Sequence, residues 1–402
     1  MSSSPFVAAL EIGTANITAA AAERQPSGRV KIIGVKSLKS SGVAKSRIVQ
    51  LGNVKNTVKA VIDALQKDAS VDVGSVWLAV SGAGVETKRL KGALSTDIRA
   101  MTEDDVQTVE ASAMESAGLD EASRIPLHYL SQDFILDGQT GIENPVGRTG
   151  QQLERRVLCV HYSRAQFRDA EAAADAAHVE VERAAFSACC AAASVLDGQE
   201  KQNGVLLVDL GAGSTSFIAY VNGFAVAAES IPVGAELVTS DLAYAFRIAK
   251  IEAERLKIEN GCAMLRAESS GRRLTIPSST PGFGPKNISA KAVETVVNAR
   301  LDEIFRIVRD RLEECGCGMN FFNAGCVLTG GGAAMPRIAE LASATLGLNV
   351  RIGRPVNADG LELEHNPESK AVIAGLLMLA MEDGPAEKRS GGLFGFFGGI
   401  FK

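Results

Sequence analysis

No apolar run in this 402-residue chain reaches the length of roughly 20 residues that a membrane-crossing helix needs, which excludes a spanning helix. A Lys/Arg stripe with interleaved aromatics is also missing. With a formal charge of −5 and a pI near 5.6, this argues against nucleic acid as the main ligand. The seven cysteines (Cys159, Cys189, Cys190, Cys262, Cys315, Cys317 and Cys326) are odd in number and scattered, so they supply no disulfide framework and point to a reducing compartment. Cys315-Gly316-Cys317 has no second ligand pair nearby in sequence, so helix-end thiols explain it better than zinc. Met1 to Pro5 lack a basic stretch, so we expect no secretory signal and a cytoplasmic body.

What the chain does have is one hairpin written twice. Phe6 to Thr14 reads FVAALEIGT and Gly204 to Thr215 reads GVLLVDLGAGST; each is an apolar strand that delivers an acid, then glycine and hydroxyl residues, before a second β-rich run. Glycines let backbone N–H groups approach an anion, and the hydroxyls add donors. Gly13, Thr14, Ala15 and Asn16, with Gly211, Ala212, Gly213, Ser214 and Thr215, are therefore candidate phosphate contacts. Glu11 and Asp209 are candidates to hold Mg2+ through its waters, since that ion keeps several of them. A third turn, Ala324 to Gly332, fits a backbone platform for adenosine after a buried strand. Two such hairpins and a platform in this order imply facing lobes with a nucleotide between them.

Periodicity gives an α/β chain of 46% hydrophobic residues, long enough for two or more domains. The pattern predicts a hairpin over 6–22, strands over 30–35 and 76–80, and a helix over 53–68 buried through Val54, Val58, Val61, Ile62 and Leu65. A strand (85–90), a helix (102–117) with acids at its start, and extended stretches (127–136, 154–161) follow. Helices are expected over 166–177, over Ala-rich 184–196 and over 240–259. Residues 269–287 read as a loop-rich excursion. A long helix over 290–314 carries Val293, Val296, Val297, Leu301, Ile304, Phe305, Val308 and Leu312 on one face.

With Asn144 to Gly150, Leu153-Glu154, the Ala253 to Lys257 run before Gly261-Cys262-Ala263, and Val350 to Pro355, the sequence resembles the actin, Hsp70 and sugar-kinase superfamily. It is most similar to the FtsA family, actin-like bacterial division proteins, over nearly its whole length. The resemblance implies a two-lobed actin-like ATPase fold with duplicated phosphate hairpins and an inserted small α+β subdomain. It divides the chain into a first lobe (1–80), the inserted interaction subdomain (81–163) and a return to the first lobe (164–203). The second lobe (204–240) follows, then a subdomain (241–319), the adenosine segment (320–367) and a final connecting helix (368–382). It also implies that Glu254, Lys257, Gly330, Gly331, Gly332 and Met335 meet the ribose and adenine, although Glu254 and Lys257 can equally form a surface i,i+3 ion pair. Arg300 and Arg306 match or neighbour an arginine implied to bind the acidic C-terminal tail of FtsZ, the tubulin-like ring protein; a solvated basic face remains the alternative. The inserted subdomain is implied to serve polymerisation and to meet later division proteins.

Residues 383–392 are polar and glycine-containing, as in a flexible linker. Beyond them Leu393, Phe396, Phe397, Ile400 and Phe401 recur at helical spacing with Phe394 beside them, which reads as an interfacial membrane helix. Docking of this segment on the body of the protein or on a partner is the alternative. Lys388, Arg389 and Lys402 are the only basic residues close by, each contributing about 1 kcal/mol at an anionic surface. One anchor is therefore weak, and a polymer presenting many would bind anionic lipid far more tightly.

Two departures from the family pattern bear on chemistry. Glu11 stands where an aspartate is usual, and Ala184 to Leu196 offers no acid, amide or histidine to orient a water. The expectation is an ATP- and Mg2+-binding, self-associating protein with slow or negligible hydrolysis, peripheral on the cytoplasmic face of the cell membrane at the division septum. A pilus-assembly-type ATPase or a small-molecule kinase of the same fold is the alternative, and the C-terminal helix discriminates against both.

Overall fold

The computed structural model describes residues 6–25, 29–277, 284–356, 358–361 and 366–383. The tail residues proposed for the membrane, Leu393 to Phe401, lie outside the described residues. Among those described, no helix is long and apolar enough to cross a membrane.

Two sheets share one plan. In the first, Phe6–Ile12 lies between its hairpin partner Asn16–Arg24 and the parallel strand Ser75–Val80, with Val30–Lys39 and Glu180–Phe186 outside them; Ala358–Asp359 adds an edge beside Val30–Lys39. In the second, Val205–Leu210 lies between its hairpin partner Thr215–Val221 and the parallel strand Cys326–Thr329, flanked by Phe224–Ile231 and Val350–Ile352. The chain order of the five strands across the sheet is third, second, first, fourth, fifth in both lobes. The duplication seen in the turns thus extends to whole sheets.

Each sheet is buried by helices whose apolar faces follow the sequence period. Leu51–Ala69 buries Val54, Val58, Val61, Ile62 and Leu65, and Ala290–Glu314 buries Val293, Val297, Leu301, Ile304, Phe305, Val308 and Leu312. The second helix also buries Glu294 completely, which an apolar count passes over. Its carboxylate accepts from Arg266 Nε at 2.6 Å, Ser269 Oγ at 2.5 Å and the Arg266 backbone N–H at 3.0 Å.

Three local expectations change. Residues 184–186 finish the strand Glu180–Phe186, and the helix begins only at Ser187, because pairing with Ser75–Val80 continues to Phe186. The helix expected over 240–259 is two, Glu236–Phe246 and Lys250–Asn260. Arg247 turns left-handed between them (φ 49°), and Lys286 Nζ donates to the Phe246 carbonyl at 3.1 Å and to that of Arg247. Within 269–287, Arg273–Ile276 pairs with Lys286–Ser289, which buries Ile276 and Ile288.

The inserted unit is a sheet in the order Val85–Ala100, Thr149–Ser163, Arg124–Leu136, Gln139–Ile142, covered by helix Glu103–Glu115. Its first strand runs ten residues past the expected end because pairing with Thr149–Ser163 continues across a bulge near Gly150. Thr102 and Asp105 cap the helix reciprocally. The Arg99 guanidinium grips Asp105 at 2.6 and 2.7 Å and, with the Thr102 backbone N–H, holds its carboxyl well below the usual range.

The alanine-rich helix Ser187–Val195 meets the final helix Ala371–Asp383 at backbone distance. A Cβ on Gly375 would lie 1.6 Å from the Cys190 carbonyl oxygen. Gly375→Ala is therefore expected to cost at least about 1–3 kcal/mol in urea unfolding through overpacking. Gly52 also lies in a helix, but a Cβ there would meet nothing within 4 Å; Gly52→Ala is expected to stabilise by about 0.4–1 kcal/mol. Shifts of the same sign in the two variants would contradict this packing.

Candidate functional site

Between the lobes lies a cleft of about 560 Å³. Its floor is made by the two duplicated turns, which match in their bonding: the Gly13 N–H donates to the Asn16 carbonyl at 3.0 Å, and the Gly211 N–H donates to the Ser214 carbonyl at 3.0 Å. A Cβ on Gly13 would sit 2.7 Å from Asn16 O, and one on Gly211 2.9 Å from Ser214 O. Glycine is required at both places for the turn to close.

The lobes touch through these turns. Within the first lobe the Ser46 N–H donates to Thr14 Oγ1 at 2.9 Å; from the second lobe the Ser214 hydroxyl lies 2.8 Å from that of Ser46 and donates to Ser81 at 3.3 Å. A Cβ on Gly213 would fall 2.1 Å from Thr14 Oγ1 and 2.9 Å from Ser46 N. The second turn passes this close to the first because position 213 has no side chain.

Glu11 and Asp209 reach the cleft from the ends of equivalent strands, opposite Thr18 and Ser216 in register. Burial, and then the Asp209 charge, push Glu11 up to about 7 against a downward pull from Lys370; burial pushes Asp209 up to about 7. Two oxygen ligands so destabilised as anions suit a hard cation that completes its shell with water. Among the described residues no set of three or more His, Cys, Asp or Glu side chains is placed to enclose a metal. The donor set therefore fits a water-rich Mg2+ and does not form an all-protein cage.

At the other wall, Lys257 Nζ donates to Glu254 Oε2 at 2.8 Å and to Thr239 Oγ1 at 2.9 Å, while the Thr239 hydroxyl donates to Glu254. The i,i+3 ion pair and a place in the cleft thus coexist. Above it, Gly330 (φ 87°) begins the third turn, where a Cβ would lie 2.4 Å from Asp209 Oδ1, and Gly331–Ala334 forms a single 3-10 turn. Met335 also lines the cleft; its Sδ would be 3.0 Å from a Cβ on Gly261.

The structure brings together Glu11, Gly13, Thr14, Ala15, Asn16, Asp209, Gly211, Ala212, Gly213, Ser214, Glu254, Lys257, Gly330, Gly331, Gly332 and Met335. Thr215 is not among the lining residues: it is fully buried, and its hydroxyl donates to the Val233 carbonyl at 2.8 Å. Ser46, Ser81, Ser187, Asn366 and Lys370 line the cleft and were missed. Ser46 sits in a two-residue hairpin turn where Lys45 and Ser46 both have positive φ without the glycine or asparagine that marks such turns. Of the helix Ser187–Val195 only Ser187 lines the cleft, so that helix brings no acid or amide to it.

Arg300 and Arg306 are already engaged. Arg300 is bidentate to Asp241 at 2.6 and 3.0 Å and pairs with Glu303; Arg306 pairs with Asp302 at 2.7 Å and Arg309 with Asp310 at 3.0 Å. Any acidic ligand there must compete with the chain's own carboxylates.

The carboxylate pair makes stability pH-dependent. Both groups have folded values raised above their unfolded ones, so the folded state holds protons that the unfolded state has released between about pH 4 and 7. Their contribution is most favourable at low pH and declines as pH rises through about 7. In Mg2+-free buffer, Asp209→Asn is expected to raise the thermal midpoint by several degrees at pH 8 and to leave it nearly unchanged at pH 4. Equal effects at both pH values would show that burial does not raise the Asp209 carboxyl.

The sequence profile of the family described as cell division protein FtsA matches residues 206–374, and that of the SHS2 domain inserted in FtsA matches 82–161. The chain is 31% identical over 363 residues to the cell division protein FtsA of Escherichia coli, covering 89% of this chain and 86% of that one. It is 29% identical to FtsA of Pseudomonas aeruginosa, covering 94% and 90%. Among solved structures it is similar to the PilM-PilN type IV pilus biogenesis complex (TM-score 0.62, 16% identity, 94% of this chain and 98% of that one). It is also similar to MreB5 of Spiroplasma citri bound to ADP (TM-score 0.51, 14% identity, 92% and 95%). These likenesses show an actin-like fold.

Proposed function

The chain belongs to the FtsA family of cell division proteins, and on that premise we propose that it is an ATP-binding, self-associating adaptor that ties the FtsZ ring to the cytoplasmic face of the cell membrane at the septum. The observation that carries the nucleotide part of this reading is the pair of glycine turns, each with a carboxylate behind it, at the floor of one cleft, and the adaptor part rests on the family.

Each part of the cleft has a task. Backbone N–H groups and hydroxyls of residues 14–16 and 212–214, in turns closed by the Gly13 and Gly211 N–H bonds, receive phosphate oxygens from opposite lobes. Glu254 and Lys257 present a fixed donor and acceptor toward the ribose, and the Gly330 to Gly332 backbone with Met335 forms the face for adenine. When bound, Mg2+ held through its waters by Glu11 and Asp209 would supply the positive charge that relieves their repulsion. Because Ser187 is a weak base, nothing on its helix activates water, and hydrolysis is slow. The nucleotide acts as a ligand that sets the angle between lobes rather than as a fuel.

The remaining surfaces complete the adaptor. Arg300, with Arg306 near it, receives the acidic FtsZ tail, and the inserted sheet serves contacts between copies and with later division proteins. The segment 393–402 enters the lipid interface, and polymerisation raises its membrane residence through multivalency.

Pelleting with anionic liposomes tests this directly. Binding by the intact chain that ATP increases over ADP, and that truncation after Gly392 abolishes, is the expected result; indifference to truncation would sink the membrane role. For the FtsZ tail peptide, Arg300→Glu is expected to lower affinity at least about tenfold. Asp241→Asn should raise it, since it removes the internal competitor. A weaker or unchanged affinity in Asp241→Asn would move the peptide site elsewhere.

A further inference from the structure

Glu11, Thr18 and Ser37 stand side by side across three neighbouring strands, Glu11 in register with Thr18 and Thr18 with Ser37. The Thr18 and Ser37 hydroxyls are 2.9 Å apart. Lys370 closes this row: its Nζ donates to Ser37 Oγ at 2.8 Å, and its side chain lines the cleft. Its charge pulls Glu11 downward, so ammonium and carboxylate sense one another within the same space.

The position of Lys370 is fastened to the site by main-chain bonds. It ends the short turn Pro367–Lys370, in which the Glu368 carbonyl accepts from the Gly330 N–H at 3.1 Å and from Thr329 Oγ1 at 3.0 Å. The turn that bears the lysine therefore moves with the third glycine turn.

The charges lining the cleft are unbalanced. Among the described residues its acids are Glu11, Asp209 and Glu254 and its bases Lys257 and Lys370, with no arginine. Lys257 is committed to Glu254 at 2.8 Å. Among the described residues Lys370 has no carboxylate partner, and its hydrogen bond is to a neutral hydroxyl. An ammonium carries three donors, so others remain for an anion. A polyphosphate placed beside Glu11 and Asp209 meets two carboxylates and needs a cation.

Resting on the nucleotide reading above, we infer that Lys370 is a phosphate-binding residue whose charge beside Glu11 lets the chain retain nucleoside triphosphate even without Mg2+. A charge-assisted bond from the ammonium to a phosphate oxygen is strongest where the competing divalent cation is absent. Ser37, whose hydroxyl is bonded to that of Thr18, fixes the lysine at the cleft before the ligand arrives.

The test is equilibrium binding of a fluorescent ATP analogue to the full chain, with Mg2+ and with EDTA, for wild type, Lys370→Met and Lys370→Arg, each verified as folded by its melting curve. Wild type is expected to keep measurable affinity in EDTA. Lys370→Met should weaken binding about tenfold or more there and less with Mg2+, and Lys370→Arg should restore most of it. A Lys370→Met affinity within about twofold of wild type in EDTA overturns the inference. So does a wild type that binds with Mg2+ but loses the analogue in EDTA. A wild type that binds under neither condition overturns the nucleotide reading itself.

Discussion

Two carboxylates, Glu11 and Asp209, sit at the ends of equivalent strands where burial lifts both toward neutrality and the Asp209 charge repels a charged Glu11. That repulsion organises the rest of the molecule. It arises because one hairpin occurs in both lobes and the lobes are pressed together at the turns, with Gly213 against Thr14 and Ser46 against Ser214. Without a cation beside them, the buried acids are a liability to the fold when ionised. Occupancy of the cleft and the relation of the two lobes are therefore coupled by the same charges that would bind the ligand.

Behind the cleft, the coupling has a rigid frame. The helices Ser187–Val195 and Ala371–Asp383 approach closely enough that only glycine fits at position 375, and Ser194 Oγ donates to the Ala371 carbonyl at 2.7 Å. Lys370 and Ser187, the residues before or at the start of these helices, both line the cleft. The base of the helix from which the C-terminal segment continues therefore adjoins the cleft.

Much of this was legible in the sequence because it is carried by local patterns. Apolar spacing located the buried faces of Leu51–Ala69 and Ala290–Glu314 almost residue by residue, and the glycine-acid turns located most of the cleft. What was illegible has physical causes. Glu294 is buried on an apolar face because Arg266 and Ser269, distant in sequence, satisfy it. Ser46 and Lys370 reach the cleft from a hairpin without glycine and from a turn after the final strand, neither of which has a local signature. Arg300 read as a free basic group because its partner Asp241 lies on another helix. Thr215, one position past the turn, points into the second lobe, since alternate strand residues face opposite sides.

The central claim is that one nucleotide bridges both glycine turns. Hydrogen exchange of the backbone amides of residues 14–16 and 212–214, with and without ATP and Mg2+, tests it most directly. The account predicts that both turns become protected together on adding the nucleotide. Protection of one turn alone, or of neither, would contradict it.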